Sequence, residues 1–235
     1  MMKLAVIPAR GGSKRIPGKN IKPFLGKPII AYTIETAIKS NVFDKIIVST
    51  DSEEIAEVAK QYGAEVPFVR PVELSDDFSG TTEVTAHAVQ WYQDRNMPIE
   101  LVCSIYATAP LLSAETLIKG LQIIQSTGKQ YAFTVTAFPS SIHRAIKISK
   151  DNELEMYWPE NFYTRSQDLE EAYHDAGQMY WGTPEAFTEK LRFYDKHSAP
   201  VIVPNHLVQD IDTPDDWVMA ELLYQALQHN NSEIQ

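Results

Sequence analysis

The chain is organised around the segment Ala5-Val6-Ile7-Pro8-Ala9-Arg10-Gly11-Gly12-Ser13-Lys14-Arg15-Ile16-Pro17-Gly18-Lys19-Asn20. The apolar run at residues 4–7 predicts a short buried strand. Pro8 ends that run, and the chain then enters a loop rich in glycine, proline and cationic side chains. A strand followed by a loop of free backbone N–H groups and cations suits the binding of a polyphosphate.

Charge is distributed unevenly along the sequence. The formal net charge is -10, yet the first 27 residues contain no Asp or Glu and seven of the 21 Lys and Arg. These seven are Lys3, Arg10, Lys14, Arg15, Lys19, Lys22 and Lys27. The segment could be an ordinary solvated surface loop, but unopposed cations beside glycines repel one another unless an anion joins them. Phosphate binding is therefore the favoured interpretation.

The loop matches neither of two common phosphate-binding motifs. A P-loop requires Gly-x-x-x-x-Gly-Lys-Ser/Thr, whereas here Asn20 follows Gly18-Lys19 and Ser13 stands five residues before Gly18. The dinucleotide fingerprint Gly-x-Gly-x-x-Gly is also absent. A standard NTPase loop and a standard dehydrogenase loop are therefore excluded.

Length and composition predict one α/β domain over residues 1–235, with 44% hydrophobic residues to form its core. No apolar run approaches the roughly 20 residues that span a bilayer, and no secretory signal is visible. The single cysteine, Cys103, lies in an apolar run, so we expect a core thiol and a reducing, cytoplasmic location. The acidic balance argues against a nucleic-acid partner, and we expect no membrane partner either.

Strand-like and helix-like segments alternate, which predicts a mainly parallel, Rossmann-like sheet flanked by helices. The predicted strands are residues 4–7, 45–49, 66–69, 101–106, 131–138 and 201–203. The predicted helices are residues 29–39, a helix from the Asp51-Ser52 cap to about 62, 81–94, 113–125, one that starts at Thr183-Pro184-Glu185, and 215–228.

An insertion at about 139–173 interrupts this alternation with short polar and aromatic segments. Residues 145–148, 154–157 and 162–163 are predicted as small strands or hairpin pieces. The cluster of Tyr157, Trp158, Phe162 and Tyr163 is typical of a subunit interface. A self-contained hairpin packed on its own core is an equally good interpretation of the spacing.

Unusual residues follow the predicted strands at their carboxyl ends, where ligands bind in open α/β sheets. The basic loop follows the first strand, Arg70 follows the predicted strand at 66–69, and Tyr106-Ala107-Thr108-Ala109-Pro110 follows the strand at 101–106. We therefore expect these three segments to converge on one site.

The segment Gln209-Asp210-Ile211-Asp212-Thr213-Pro214 places two carboxylates two residues apart. On extended backbone Asp210 and Asp212 point the same way, with Ile211 directed into the core. Mg²⁺ binds one or two carboxylates together with substrate phosphate oxygens, so we favour a metal site. The alternative is an acidic turn that caps the next helix, and Thr213 could also cap that helix alone.

The segment Tyr173-His174-Asp175-Ala176-Gly177-Gln178-Met179-Tyr180-Trp181-Gly182 combines polar, aromatic and glycine residues, a composition typical of a small-molecule pocket. Adjacent residues on a strand face opposite ways, so His174 and Asp175 are not interpreted as a catalytic pair.

Together these motifs resemble the CMP-sialic acid synthetase (acylneuraminate cytidylyltransferase) family over about residues 3–228. The matching segments are Ala9-Arg10-Gly11-Gly12-Ser13-Lys14, Pro17-Gly18-Lys19-Asn20, Ile47-Val48-Ser49-Thr50-Asp51, Arg70-Pro71 and Asp210-Ile211-Asp212-Thr213. The resemblance implies the nucleotide-diphospho-sugar transferase fold, CTP as nucleotide, Mg²⁺ as cofactor, and a homodimer whose inserted arm reaches toward the partner's site.

The resemblance also implies roles for individual residues. The implied nucleotide-binding residues are Ala9, Arg10, Gly11, Asn20, Arg70, Ser79, Gly80 and Thr81. The implied catalytic residues are Arg10, Lys14, Lys19 and Asp212. Asp210 and Asp212 are the implied magnesium ligands, and Arg165 looks like the arm arginine that points at the bound sugar.

Two segments depart from the sialic acid pattern, and both lie on the expected sugar side. The family often has Leu-Gln-Pro-Thr-Ser-Pro after the fourth strand, where this chain has Ile105-Tyr106-Ala107-Thr108-Ala109-Pro110. It often has Arg-x-Asn-Gly where this chain has His174-Asp175-Ala176-Gly177-Gln178. In both segments the sequence of this chain resembles that of pseudaminic acid cytidylyltransferases. The expected sugar-binding residues are Tyr106, Arg165, His174, Asp175 and Gln178.

The resemblance therefore predicts that the anomeric hydroxyl of a nine-carbon 2-keto sugar acid, pseudaminic acid above all, attacks the α-phosphate of CTP. N-acetylneuraminic or legionaminic acid is the closest alternative substrate. A nucleotidyltransferase that uses another nucleotide, such as one for 3-deoxy-manno-octulosonic acid, is a further alternative. A nucleotide-binding module without catalysis is the non-enzymatic one.

Overall fold

The computed structural model describes residues 1–77 and 79–232, in which strands and helices alternate as predicted. The strands are β1 (Met2–Pro8), β2 (Pro23–Phe24), β3 (Lys27–Pro28), β4 (Lys45–Ser49), β5 (Ile99–Ile105), β6 (Tyr131–Ala137), β7 (Ile146–Ile148), β8 (Leu154–Met156), β9 (Tyr173–Gly182) and β10 (Ser198–Ile202). The α-helices are α1 (Ile29–Ser40), α2 (Glu53–Gln61), α3 (Thr81–Gln93), α4 (Ala114–Thr127), α5 (Pro184–Thr188) and α6 (Pro214–Ser232).

In the part of the chain that the structure describes, the main sheet has six strands in the order β10-β6-β9-β5-β1-β4. β1 pairs parallel with β4 and with β5, and β6 pairs parallel with β10. β9 runs antiparallel between β5 and β6. The predicted mainly parallel sheet is confirmed, with one reversed strand near its middle.

Apolar helix faces cover both sides of this sheet, which explains why β1 contains a continuous apolar run rather than an alternating pattern. Residues 4–7 of β1 have no solvent exposure. Trp181 of β9 is also fully buried, and its indole N–H donates to the Leu117 carbonyl in α4 at 3.0 Å. Cys103 in β5 is a core thiol as predicted, and burial raises its pKa well above the ordinary value.

A smaller apolar cluster joins the basic loop to the last helix. It contains Ile16 of the loop, Phe24 of β2, Ile211, and Trp217 of α6. The Phe24 and Trp217 rings meet edge to face, with centroids 5.5 Å apart. Ile211 is fully buried, as predicted for the residue between the two acids. This cluster holds the N-terminal loop against the segment that precedes α6, although the two are almost 200 residues apart in sequence.

Two predicted strands are wrong. Residues 66–69 form no strand, and their neighbour Glu65 makes only an isolated parallel bridge to Ile47. Pro67 lacks the N–H that would extend the pairing, which accounts for the break. Residues 162–163 are not a strand either, because Phe162 has helical backbone angles at the end of a 3₁₀ turn.

The insertion at 139–173 contains the antiparallel hairpin β7–β8, which matches the other two predicted pieces. Its apolar side chains are largely exposed, including Ile148 (69%), Leu154 (70%) and Tyr163 (92%). This hairpin therefore does not pack on a core of its own within one chain. Among the helices that the structure describes, none is long and apolar enough to cross a membrane.

Candidate active site

A cavity of about 210 Å³ opens at the carboxyl edge of the sheet, where the sequence predicts convergence. Its wall comes from the loop after β1, from Arg70, from the start of α3 and from the segment after β5. The lining residues are Pro8, Arg10, Ser13, Lys14, Arg15, Ile16, Lys19, Asn20, Arg70, Ser79, Gly80, Thr81, Val84, Tyr106, Ala107 and Thr108. The three segments predicted to converge therefore do line one cavity, although only two of them, the loop after β1 and the segment after β5, follow strands of the sheet.

Backbone hydrogen bonds fix the beginning of the basic loop. The N–H of Ala9 donates to the Ser49 carbonyl at 2.9 Å, which continues the pairing of β1 with β4. The N–H of Gly11 donates to Asp51 Oδ1 at 2.8 Å, and the Asn20 side-chain amide donates to the Arg10 carbonyl at 2.9 Å. Ala9 is fully buried, so its contribution to any ligand is the shape of the loop rather than a side chain.

Lys19 links the basic loop to the acidic segment before α6. Its ammonium donates to the Ile211 carbonyl at 2.6 Å and lies 3.5 Å from Asp212 Oδ1. Arg15 Nη1 lies 2.7 Å from the other oxygen, Asp212 Oδ2. Arg15 is a site residue that the sequence reasoning did not single out, although it was one of the seven cations. The Asp212 carboxylate therefore sits between two cations at the edge of the cavity.

Asp210 and Asp212 were predicted to share one side of the chain. Desolvation by the surrounding protein atoms raises the pKa of Asp210, the nearby Asp212 carboxylate raises it further, and Lys19 opposes both effects. Mutual repulsion of this kind fits a site that a divalent cation neutralises. No group of three or more His, Cys, Asp or Glu within residues 1–77 and 79–232 is arranged to hold a metal. A magnesium ion here would need phosphate oxygens to complete its ligands, as Mg²⁺ commonly does.

Residues other than Asp212 cap helix α6. Thr213 Oγ1 accepts from the N–H of Asp216 at 3.2 Å, as predicted for a capping threonine. The Asp216 carboxylate accepts from the N–H groups of Asp212 and Thr213 at 3.0 and 2.7 Å. These bonds hold the pKa of Asp216 below its ordinary value, with the Thr213 side chain as the main cause. Asp212 is therefore not needed as a cap, which leaves its carboxylate available to the site.

Arg70 is buried, and its guanidinium is hydrogen-bonded to Ser49 at the end of β4. Its Nε donates to Ser49 Oγ at 3.2 Å, and Nη2 donates to the Ser49 carbonyl. Burial lowers the pKa of Arg70 to about 10, with Asp51 opposing and Arg10 adding to the shift. A buried guanidinium that lines a cavity provides fixed donors for a polar ligand.

The start of α3 forms the wall next to Arg70. The N–H of Ser79 donates to Asp76 Oδ1 at 2.7 Å, and Ser79 Oγ donates to the Glu73 carbonyl at 3.1 Å. Gly80 precedes the first helical residue, Thr81, so the positive end of the helix faces the cavity.

Arg10 and Lys14 both contact a carboxylate that the sequence reasoning missed. Arg10 Nη1 donates to Asp77 Oδ1 at 2.7 Å and to the Asp76 carbonyl at 2.6 Å. The Lys14 ammonium donates to Asp77 Oδ2. No sequence signal joins these residues, because Asp77 lies more than 60 positions away in a loop without a recognisable motif.

Tyr106 is the predicted sugar-binding residue that lines the cavity. The Tyr180 hydroxyl donates to Asp175 at 2.8 Å and lies 3.4 Å from the Tyr106 hydroxyl. The Tyr194 hydroxyl donates to the same carboxylate at 3.0 Å. Neither Asp175 nor Tyr180 lines the cavity, and Asp175 is linked to the lining residue Tyr106 through Tyr180. Gln178 is buried in β9 and donates to the Leu207 carbonyl at 2.5 Å.

Tyr106 alone of the five predicted sugar-binding residues lines the cavity in a single chain, and Arg165 and His174 also make no contact with its wall. Arg165 pairs with Asp168 in the insertion at 2.7 Å and is largely exposed. His174 packs against Phe138, with ring centroids 4.8 Å apart, and its Nδ1 lies 2.8 Å from the Asp175 carbonyl. The structure therefore brings together the basic loop, Arg70, the start of α3, Tyr106 and Asp212, but not Arg165, His174 or Gln178.

Comparison with known proteins gives a consistent result. Residues 4–232 match the family model described as cytidylyltransferase. A pseudaminic acid cytidylyltransferase of Campylobacter jejuni subsp. jejuni serotype O:2 is 44% identical over 96% of this chain and 97% of its own length. A CMP-N,N'-diacetyllegionaminic acid synthase of Legionella pneumophila is 36% identical over 97% of this chain and 98% of its own.

A solved structure with a similar fold is the CMP:2-keto-3-deoxy-manno-octonic acid synthetase in complex with CTP. It superposes with a TM-score of 0.70, covering 97% of this chain and 100% of its own, at 15% sequence identity. At this identity the likeness concerns the fold alone, and it supports the predicted nucleotidyltransferase architecture.

Proposed function

The chain belongs to the cytidylyltransferase family, and on that premise we propose that it joins CTP to pseudaminic acid, giving the CMP-sugar and pyrophosphate. The observation that carries this proposal is the contact of Lys19 with Ile211 and Asp212. It joins a phosphate-binding loop to an acidic pair across the carboxyl edge of the sheet, which is the arrangement that a triphosphate and its counterion require.

The reaction is a displacement at the α-phosphate of CTP. The anomeric hydroxyl of the sugar acid loses its proton to solvent as its oxygen attacks the α-phosphorus. The bond from that phosphorus to the oxygen that bridges to the β-phosphate breaks, and pyrophosphate leaves with the electron pair. Arg10, Lys14 and Lys19 offset the negative charge on the phosphates, and Lys19 is preorganised for this role by its bond to the Ile211 carbonyl. No covalent intermediate with the protein is needed, so most of the acceleration comes from position and charge.

Asp210 and Asp212 are the residues that would hold Mg²⁺. When bound there, the ion would supply positive charge that offsets the charge of the phosphates. Arg15 and Lys19, which both line the cavity, contact the two oxygens of the Asp212 carboxylate at its edge. The acidic pair also argues against a module that only binds nucleotide, since binding alone tolerates loss of a metal site.

The base of the nucleotide is assigned to the side of the cavity formed by Arg70, Ser79, Gly80 and Thr81. The sugar acid is assigned to the opposite side, beside Tyr106. The Asp175 carboxylate, held by Tyr180 and Tyr194, backs this sugar side. Because the departures from the sialic acid pattern fall here, the choice among nine-carbon sugar acids is attributed to this wall.

We also propose a homodimer built through the insertion at 139–173. A two-stranded hairpin is marginally stable on its own, and this one exposes Ile148 and Leu154, while the segment that follows it exposes Phe162 and Tyr163. Arg165 would then reach the sugar side of the partner's site.

Light scattering should give twice the mass of 26.6 kDa, and Tyr163→Glu should shift the protein toward monomer. Val69→Glu, at another exposed apolar residue, is the control; a monomeric wild type contradicts the proposal.

Use of CTP also supports the predicted cytoplasmic location, because that is where free nucleoside triphosphates are available.

Pyrophosphate release with a panel of substrates tests the proposed reaction. CTP should be used in preference to ATP, GTP and UTP, and pseudaminic acid in preference to legionaminic, N-acetylneuraminic and 3-deoxy-manno-octulosonic acids. A higher kcat/KM with another sugar acid would correct the substrate but keep the reaction. Binding of CTP without pyrophosphate release under every condition would contradict an enzymatic function.

A further inference from the structure

The Asp77 carboxylate bridges two cations of the basic loop. One oxygen accepts from Arg10 Nη1 at 2.7 Å, and the other accepts from the Lys14 ammonium. The Lys14 ammonium, and after it the Arg10 guanidinium, holds the pKa of the Asp77 carboxyl below its ordinary value. The carboxylate therefore stays ionised at neutral pH.

The bridge uses the same side chains that the proposed function assigns to the triphosphate. Arg10 Nη1 already has two acceptors, Asp77 Oδ1 and the Asp76 carbonyl. A phosphate oxygen added to these cations while Asp77 remains in place would put two anions in contact. The Asp77 side chain is 38% exposed, and the Lys14 side chain is 77% exposed, so both can separate without opening the core.

We propose that Asp77 is an internal counter-anion of the basic loop, which occupies Arg10 and Lys14 in the free protein and is displaced by the triphosphate of the nucleotide. This inference rests on the proposed function, because it assumes that these two cations bind phosphates. It makes Asp77 a positioning residue that keeps the cations ordered before the substrate arrives, and each nucleotide must compete with it.

Competition with phosphate has a signature that loss of loop structure does not have. An anion that competes only for the phosphate cations weakens the binding of CTP, weakens CMP less, and leaves cytidine unaffected. A residue that instead shapes the nucleotide wall through Ser79 and Arg70 alters the binding of all three ligands. The dependence on the number of phosphates therefore separates displacement from a structural role.

Calorimetric titration of the full chain with cytidine, CMP and CTP tests the proposal, using wild type, Asp77→Asn and a control. Glu73→Gln is the matched control, because it removes one negative charge from the same loop while its carboxylate makes none of the contacts seen at Asp77. Asp77→Asn should lower the Kd of CTP about threefold to tenfold and leave the Kd of cytidine unchanged. Glu73→Gln should leave both within about twofold.

An unchanged or higher Kd of CTP in Asp77→Asn overturns the proposal, and so does an equal change for cytidine and CTP. Failure of the wild type to bind CTP more tightly than cytidine has a different meaning. It would remove the proposed triphosphate site itself and, with it, the basis of this inference.

Discussion

Replacing Lys19 by methionine tests the link between the basic loop and the acidic pair. The Lys19 ammonium donates to the Ile211 carbonyl at 2.6 Å and lies 3.5 Å from Asp212 Oδ1. Methionine keeps an unbranched stem of similar length but removes the charge and the three donors. The variant therefore separates the effect of the ammonium from the packing of the stem.

Two losses of different size are expected. In the free protein, one charge-assisted hydrogen bond and one partly exposed ion pair disappear, which together contribute about 1–2 kcal/mol to the free energy of unfolding. For a chain of this length, the melting temperature should fall by about 2–8 °C. In the transition state, loss of a preorganised cation beside the reacting phosphates should cost about 3–4 kcal/mol, or about 10²–10³ in kcat.

Thermal unfolding followed by circular dichroism measures the first loss, and steady-state pyrophosphate release measures the second. Lys22→Met is the matched control, because it removes the same charge three residues further along the loop. The Lys22 ammonium lies over the Trp217 ring at 4.6 Å and does not line the cavity. Its kcat should stay within about twofold of wild type.

The reasoning about Lys19 is refuted if Lys19→Met lowers the melting temperature but reduces kcat by less than about twofold. Lys19 would then brace the loop without contributing to phosphate charge. An equal loss of kcat in Lys19→Met and Lys22→Met would also refute it, since the effect would then follow net charge rather than position.

Three further results are expected. Removal of divalent cations by EDTA should stop pyrophosphate release, and added Mg²⁺ should restore it. Asp212→Asn should lower kcat at least about a hundredfold at any Mg²⁺ concentration. Near-normal turnover in either experiment contradicts the assignment of Asp210 and Asp212 as metal ligands. Gly120→Ala places a Cβ 2.7 Å from Trp181 Cδ1, so urea unfolding should show a loss of about 1–3 kcal/mol. Burial, with a smaller effect of Tyr224, raises the pKa of Tyr32 from 10.0 to about 12. Since folding favours its neutral form, stability should fall as pH rises from about 10 to 12, and Tyr32→Phe should flatten that fall in alkaline urea melts.

Local patterns predicted most of the elements because the physics that forms them is local. The apolar run at residues 4–7 became the buried centre of β1, and Thr183 capped α5 with its hydroxyl as the Thr-Pro pair indicates. The strand predicted at residues 66–69 is wrong, and the reason is also local. Their apolar character suggested a strand, while Pro67 had already removed a donor that pairing needs.

The reversed strand β9 shows where local reasoning fails. Its composition of aromatic, polar and glycine residues suggested a pocket wall, and only part of it has that role. Trp181 at one end is fully buried against α4, whereas Asp175 at the other end is linked through Tyr180 to Tyr106 of the cavity wall. Strand direction depends on how the chain returns from the insertion, which no pattern within ten residues can encode.

The sequence by itself determined that a cation-rich loop follows a buried strand and that two acids stand two residues apart near the other end. It also determined which family the chain resembles, because these features depend on residue type and spacing alone. Only the tertiary structure decided which charges meet. Lys19 and Arg15 contact Asp212, while Arg10 and Lys14 contact Asp77. Such pairings join residues 60 to 200 positions apart, and their partners are selected by the packing of the sheet and of the cluster around Ile211 rather than by any local preference.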